Sequence, residues 1–419
     1  MAIGNSQTLS QQTYSRSDRF HAVSAGFLGW TLDAFDFFVV VFLVDILAAQ
    51  FGVPKKDIVF TLTATLAMRP LGAVLFGLLA DRYGRRIPLM ANVIFFSVIE
   101  LLCGFAPNYT TFLVLRALYG IGMGGEWGVG SSLAMEMAPQ RWRGVLSGIL
   151  QSGYPIGYLL AAVAARFVLP HANWRVMFWL GGIPALLALY IRTKVPESEA
   201  WQQHREHSFG GILRTVRNFS GHLLFLVLMM TLFMFLSHGT QDLYPDFLKS
   251  FHGIPANRVA EIAILYNIGA VAGSILFGEV SQRIGRRYGI ICALVLAFLV
   301  IPVWAFGSTA LILTLGAILM QVGVQGAWGV IPAHLNEIAP DSARGLVPGL
   351  AYQLGILFAA PVNTIEYALR DHFGYQWALA GFEGLNIILL AVIVLLGREN
   401  RGKHFVQQES ASPAVSVTC

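Results

Sequence analysis

Charge is what this sequence has least of. Only 12% of its 419 residues are Asp, Glu, Lys or Arg, where a soluble domain carries roughly 25%. The deficit runs along the whole chain, so lipid replaces water as the main solvent. Cysteine is scarce as well. Cys103, Cys292 and Cys419 are the three, with no CxxC pair and no Cys/His cluster, which excludes a disulfide framework and a zinc site. No GxxxxGK[ST] stretch exists for ATP, and no HExxH, Ser/His/Asp or metal cluster supports an enzyme. No cofactor is called for. The first twenty residues are polar and lack an apolar core, so no cleavable signal peptide is expected. The net charge of +5 gathers in short clusters between apolar runs, which reads against a nucleic-acid partner.

What is present is apolar. Hydrophobic residues make up 56% of the chain, mean hydropathy is +0.63, and there are 43 glycines and 29 phenylalanines. A spanning helix needs about 20 mostly apolar residues. Runs of that kind predict twelve spans, near 22–48, 58–80, 87–106, 110–137, 143–168, 174–194, 221–248, 257–281, 288–306, 309–337, 343–369 and 375–397. The fold class is therefore an all-α membrane protein of two six-helix bundles. The expected organisation is a first bundle at 1–194, a cytoplasmic linker at 195–220, a second bundle at 221–397 and a cytoplasmic tail at 398–419. If the N-terminus is cytoplasmic, nineteen of the 28 basic residues fall in loops on that side and seven on the other. The excess predicts cytoplasmic termini and a plasma (in a bacterium, inner) membrane. The short tail reads against a nutrient sensor. A monomer is expected.

The two halves repeat at an offset of 201 residues. Gly77, Arg82, Gly84, Arg85 and Arg86 match Gly278, Arg283, Gly285, Arg286 and Arg287. Further on, Gly122, Trp127, Glu136, Pro139, Arg143 and Gly144 match Gly323, Trp328, Glu337, Pro340, Arg344 and Gly345. Two such halves around a midplane site form an architecture that rocks. The loop GLLADRYGRR, with Arg116-Ala-Leu-Tyr-Gly120-Ile-Gly122 on helix 4, resembles the signatures of the major facilitator superfamily, which implies that fold. Asp81 sits at a helix end, where it can face the positive N-terminus of another helix or an arginine such as Arg143. With Arg82, Arg85, Arg86 and Arg143 it makes a candidate cytoplasmic gate. The arginines can equally be positive-inside anchors. Gln282 replaces Asp81 in the second half, which argues against an equivalent latch there.

Few ionisable residues lie inside spans, and each is costly there. Arg69, halfway along helix 2, either binds an anionic substrate through its planar fork or pairs with Asp33 or Asp36. Asp33 and Asp36 share one face of helix 1 at i, i+3. Ionising both in low dielectric is expensive, which suits a proton carrier; the alternative is that one neutralises Arg69. Helix 7 carries Ser237, His238, Gln241 and Asp242, with His238 and Asp242 at i, i+4. A His–carboxylate pair can take a proton or bind a hydroxy or keto group. Glu126, among the helix 4 glycines, can bind a proton or pair with Arg69. Arg116, near a span end, can snorkel. Tyr154, Gln353 and Asn363 are candidate lining residues, Gln151, Gln321, Gln325 and Glu366 are further polar span residues, and His334 and Glu337 read as structural.

Two stretches narrow the resemblance. Asp33-Ala-Phe-Asp36 resembles the D-G-[FY]-D pattern of aromatic acid:proton symporters. Ser237-His-Gly-Thr-Gln-Asp242 resembles the S/T-H-x-x-Q-D signature of Jen-type lactate/pyruvate:proton symporters of the sialate:proton symporter group. That resemblance implies carboxylate recognition by Arg69, His238 and Asp242, with Gln353 as the helix 11 glutamine. Met234 and Asp246 depart from the pattern. The implied partners are a small organic anion, lactate or pyruvate, and a proton. A sialate or aromatic acid is the alternative.

Overall fold

The computed structural model describes residues 14–406; the remainder of the expected tail, with Cys419, lies outside the described residues. Every regular element among them is a helix. The twelve membrane segments are α1 Arg16–Phe51, α2 Lys55–Tyr83, α3 Arg86–Cys103, α4 Tyr109–Met137, α5 Gln140–Val168, α6 Arg175–Lys194, α7 Ser220–Phe251, α8 Ala256–Ile284, α9 Arg286–Phe306, α10 Ala310–Ile338, α11 (Val347–Ala359 and Val362–Phe373) and α12 Tyr375–Leu396. Nine of the described helices are long and apolar enough to cross a membrane by length and composition. The other three segments, α1, α4 and α11, carry Asp33 and Asp36, Arg116 and Glu126, and Glu366. Two short helices, Glu199–Gln203 and Phe209–Asn218, lie between α6 and α7.

The repeat is written into the helix ends. Pro54 and Pro255 precede α2 and α8, and Asn108 and Thr309 cap α4 and α10 with side-chain oxygens. Gly84 and Gly285 end α2 and α8 at φ 105° and 109°. A side chain at such positive φ with extended ψ costs about 1–3 kcal/mol. The spans predicted as single helices are broken in four places, after Gln151, Leu180, Gln241 and Ala359. Pro155, Pro184, Pro245 and Pro361 follow those breaks, because proline removes a helical donor and clashes with the preceding turn.

In the first bundle α4 packs on α1, α2 and α3, and α1 on α5. In the second, α10 packs on α8 and α9, and α7 on α11 and α12. The bundles meet where α5 lies on α8 and α10, and α11 on α2 and α4. Glycines set the closest approaches. A Cβ on Gly124 would stand 1.9 Å from the Arg69 carbonyl oxygen, which pins α4 to α2 beside that arginine. Gly128 of α4 meets Gly349 of α11 backbone to backbone, a Cβ on either falling within 3.0 Å of the other's Cα. Leu71, Leu75, Val98, Leu299, Leu311 and Leu396 are exposed on the outside. Such an apolar belt suits lipid.

Candidate functional site

Arg69 lies 3% exposed at the meeting of α2, α4 and α11. Its Nε and Nη2 have no hydrogen-bond partner, and no ion pair joins it to an acid among the described residues. The expected alternative of pairing with Asp33, Asp36 or Glu126 is not what the side chains do. Its guanidinium carbon is 5.9 Å from the ring centre of Tyr352. Tyr352 stacks on Trp127 at 4.4 Å and meets Trp30 and Trp328 edge-on. Trp30 stacks on Tyr154 at 5.4 Å. The result is a buried cation beside an aromatic box, where unpaired N–H groups of Arg69, Trp30 and Trp328 face no acceptor. Donors left this way are costly, and a carboxylate matches the arginine fork.

Asp33 and Asp36 share a helix face but not an environment. The Tyr119 hydroxyl donates to the Asp33 carboxylate at 3.1 Å and to its carbonyl at 2.8 Å. Asp33 interacts electrostatically with Arg69. Asp36 points away, toward Glu100 and Gly181, with both oxygens buried and unpartnered. Glu100 holds Arg116 at 2.6 Å, both fully buried, and the guanidinium stacks over Tyr119 at 4.2 Å. Arg116 therefore does not snorkel; an acid on α3 neutralises it inside the bundle. Glu126 is buried against Gly29 with both oxygens unpartnered.

The second bundle contributes amides and one imidazole. His238 Nδ1 donates to Asp242 Oδ2 at 3.1 Å, and Asn363 Nδ2 donates to the same oxygen at 3.0 Å. Gln241 donates to Gln321 at 2.9 Å, Gln321 to Thr240 at 3.2 Å, and Gln325 to Ser237 at 3.4 Å. The Gln353 amide reaches across to the Gly124 carbonyl at 3.3 Å. Gln151 accepts from Trp127 at 3.2 Å. The His238 and Asp242 side chains are 33% and 34% exposed although they lie in a membrane span. Both side chains therefore reach accessible space from within the span.

The other end, where both described chain ends lie, is shut by two latches. The Asp81 carboxylate accepts from the Gly345 and Leu346 amides at 2.7 and 3.0 Å, just ahead of α11. Arg85 bonds Asp81 at 2.6 Å and Glu136 at 2.9 Å, and Arg344 crosses from the second bundle to Glu136 at 3.2 Å. In the repeat, Gln282 accepts from the Gly144 amide at 2.9 Å, and Arg286 bonds Glu337 at 2.9 Å. Arg143 crosses to Glu337 at 3.0 Å. Two expectations are corrected. Arg143 bonds Glu337 and not Asp81. Gln282 makes the equivalent closure, because accepting a backbone N–H needs a lone pair and not a charge. Glu337, read as structural, is the centre of the second latch, joined to both bundles. Arg82 stacks on Tyr83 at 5.2 Å, and Arg86 bonds Arg192 and Glu197, so neither bridges the bundles.

Sequence reading missed Tyr352, Trp30, Trp127, Trp328, Glu100, Glu136 and Glu383. Trp127 with Trp328, and Glu136 with Glu337, stand in register in the repeat, which was the available signal. The chain matches the family described as "Sugar (and other) transporter" over residues 8–210 and 225–400. It is 31% identical over 383 residues to a carboxylic acid transporter protein homolog of Saccharomyces cerevisiae, covering 85% of this chain. It spans 62% of that relative's length. It is 31% identical to a probable 4-methylmuconolactone transporter of Cupriavidus pinatubonensis, covering 94% of each. The structure resembles the proton:xylose symporter XylE with a TM-score of 0.76 at 21% identity, over 93% of this chain and 98% of that one. The chain belongs to the sugar (and other) transporter family of the major facilitator superfamily, and is an integral membrane transporter rather than an enzyme.

Proposed function

We propose that the protein is a proton-coupled symporter of a small monocarboxylate, lactate or pyruvate, working by alternating access as a monomer with cytoplasmic termini in the plasma membrane. The observation that carries this reading is Arg69, a buried guanidinium with two unpartnered nitrogens and no counter-ion among the described residues. An anion completes it. Ser237, His238, Gln241 and Asp242 supply donors and acceptors for a hydroxy or keto group, with Tyr154, Gln353 and Asn363 around them. A proton taken by Asp33, Asp36, Glu126 or the His238–Asp242 pair neutralises the load. A neutral load costs less to enclose than an unpaired charge. The closed latches then belong to the outward-open state, and their release opens the cytoplasmic side. The yeast relative's description as a carboxylic acid transporter homolog supports the acid.

A second reading rests on the aromatic box. Trp30, Tyr154, Trp127 and Tyr352 offer more stacking surface than a three-carbon acid uses, which favours a larger or ring-bearing acid such as a sialate or aromatic acid. Labelled lactate uptake into proteoliposomes, with and without an imposed inward proton gradient, tests symport. Gradient-independent uptake rejects it. Competition by lactate and pyruvate against aromatic acids and sialate separates the two readings. Arg69→Ala is expected to abolish uptake while the protein still folds; full activity in that variant removes the centre of the proposal.

A further inference from the structure

Behind the His238–Asp242 pair lies a second group of acids that the central site does not use. Glu366 on α11 and Glu383 on α12 are 1% and 0% exposed, and all four of their carboxylate oxygens lack a hydrogen-bond partner. Both converge on Gly239 of α7. A Cβ there would stand 1.9 Å from Glu383 Oε1 and 3.1 Å from Glu366 Oε1. The two oxygens are therefore no more than 5.0 Å apart, the sum of those distances. Only glycine leaves room for the pair.

No basic side chain neutralises either acid among the described residues. Arg370, one turn beyond Glu366, bonds Asp371 and stacks on Tyr367 at 4.5 Å. On α9, which packs against α12, Arg286 holds Glu337 and Arg287 bonds the Val394 carbonyl. From α7, Asp242 faces Glu366 electrostatically and is itself bonded to His238, and Asp246 accepts from Tyr375 at 2.6 Å. His222, Tyr244 and Lys249 of α7, Tyr288 and Cys292 of α9, and Tyr352, Tyr367 and His372 of α11 are the remaining titratable groups on these elements. Asn386 is near enough to interact with the Glu383 carboxyl, but its amide N–H donates to the Leu232 carbonyl at 3.2 Å and its amide oxygen is filled by no donor. A pair of bare carboxylates is prohibitively costly in such an interior, whereas a carboxyl O–H supplies both the neutrality and a donor.

We propose that Glu366 and Glu383 form a second proton-holding site in the second bundle, loaded from the open cleft through His238 and Asp242. It rests on the proton-coupled reading of the central site. The Glu366–Glu383 pair holds one shared proton at rest; a second, from cleft water, bonds to the His238–Asp242 pair, leaves it for a Glu366 oxygen, and makes both carboxyls neutral. No covalent bond other than that to the proton is made or broken. The path ends in a site remote from Arg69, so a proton stored there does not compete with the substrate anion for the guanidinium.

The test uses the full chain in proteoliposomes. Glu366→Gln, Glu383→Gln and the double variant are compared with the unaltered protein in lactate counterflow and in gradient-driven accumulation. The expected result is retained counterflow with accumulation reduced about tenfold under a gradient of one pH unit, the yield of one coupled proton. Dicyclohexylcarbodiimide, which attacks protonated carboxyls in apolar surroundings, is expected to label Glu366 or Glu383 of the unaltered protein, located by peptide mass. Undiminished accumulation in the double variant, or no label on either residue, overturns the proposal, and the label decides it if the variants fail to fold. Gradient-independent uptake by the unaltered protein instead sinks the symport reading while the label still reports on the pair.

Discussion

The two latches are the same shape with different charge. The first sets Arg85 and Arg344 against Asp81 and Glu136; the second sets Arg286 and Arg143 against Glu337 alone, with the neutral Gln282 in the place of Asp81. Geometry was preserved across the repeat while one negative charge was not. A backbone amide is satisfied by either oxygen, so closure needs only the shape. What the missing charge changes is how much the second latch depends on its single acid.

That comparison can be broken most severely at the shared carboxylates. Glu337→Gln leaves Arg143 and Arg286 buried with no acid, a loss on the order of 3–5 kcal/mol. Glu136→Gln is expected to cost less, because Asp81 still holds Arg85. Spin-label distances across this end should widen more in the first variant, and equal widening would mean the charge count is irrelevant. A smaller effect is expected from the position that differs. Asp81→Asn removes charge-assisted bonds to two amides and Arg85, about 1.5–3 kcal/mol, and shifts populations toward the state open at this end. Gln282→Glu should move them the opposite way by supplying the missing charge. Unchanged populations and transport rates in Asp81→Asn would dispose of the latch.

The smallest effect concerns two carboxylates just outside the spans. Glu197 accepts from the Arg85 and Arg86 amides beside Gly84, and Glu399 from the Arg287 amide beside Gly285. Each caps the start of the third helix of its half. Burial pushes the Glu197 carboxyl above the usual glutamate range despite its amide donors. At Glu399 burial is outweighed by the amides of Arg287, Arg286 and Arg401, which hold it below that range. The signs are therefore opposite. The Glu197 contribution is full below the unfolded value and fades as pH rises through its raised pKa. The Glu399 contribution is full above the unfolded value and is lost as pH falls through its lowered pKa. Hydrogen exchange at residues 84–88 and 285–289, followed between about pH 3 and 7, should show opposite trends of about 1 kcal/mol or less. Parallel trends would refute the assignment.

The fold was legible because lipid tolerates little besides long apolar helices, and because the repeat kept charged and glycine positions in register. Arg69, His238 and Asp242 stood out because ionisable groups are rare in a membrane span. The aromatic box did not, since Trp30 and Tyr352 in an apolar run look the same whether they face lipid, core or cavity. Arg116 was misread for want of its partner. Glu100 is 16 residues away on another helix, and sequence spacing says nothing of contacts between helices. The four helix breaks were missed because hydropathy averages over the prolines that cause them.

The backbone contact of Gly128 with Gly349 has a mechanical consequence. Only hydrogen atoms separate α4 from α11 there, so one half can turn against the other with no side chain to change rotamer at the point of contact. The glycine contact itself offers little resistance. What would resist a turn is the Trp127–Tyr352 stack and the Gln353 bond to Gly124 beside it, and the buried arginines and acids at the rim. Those contacts are few, and each is within reach of substitution one at a time.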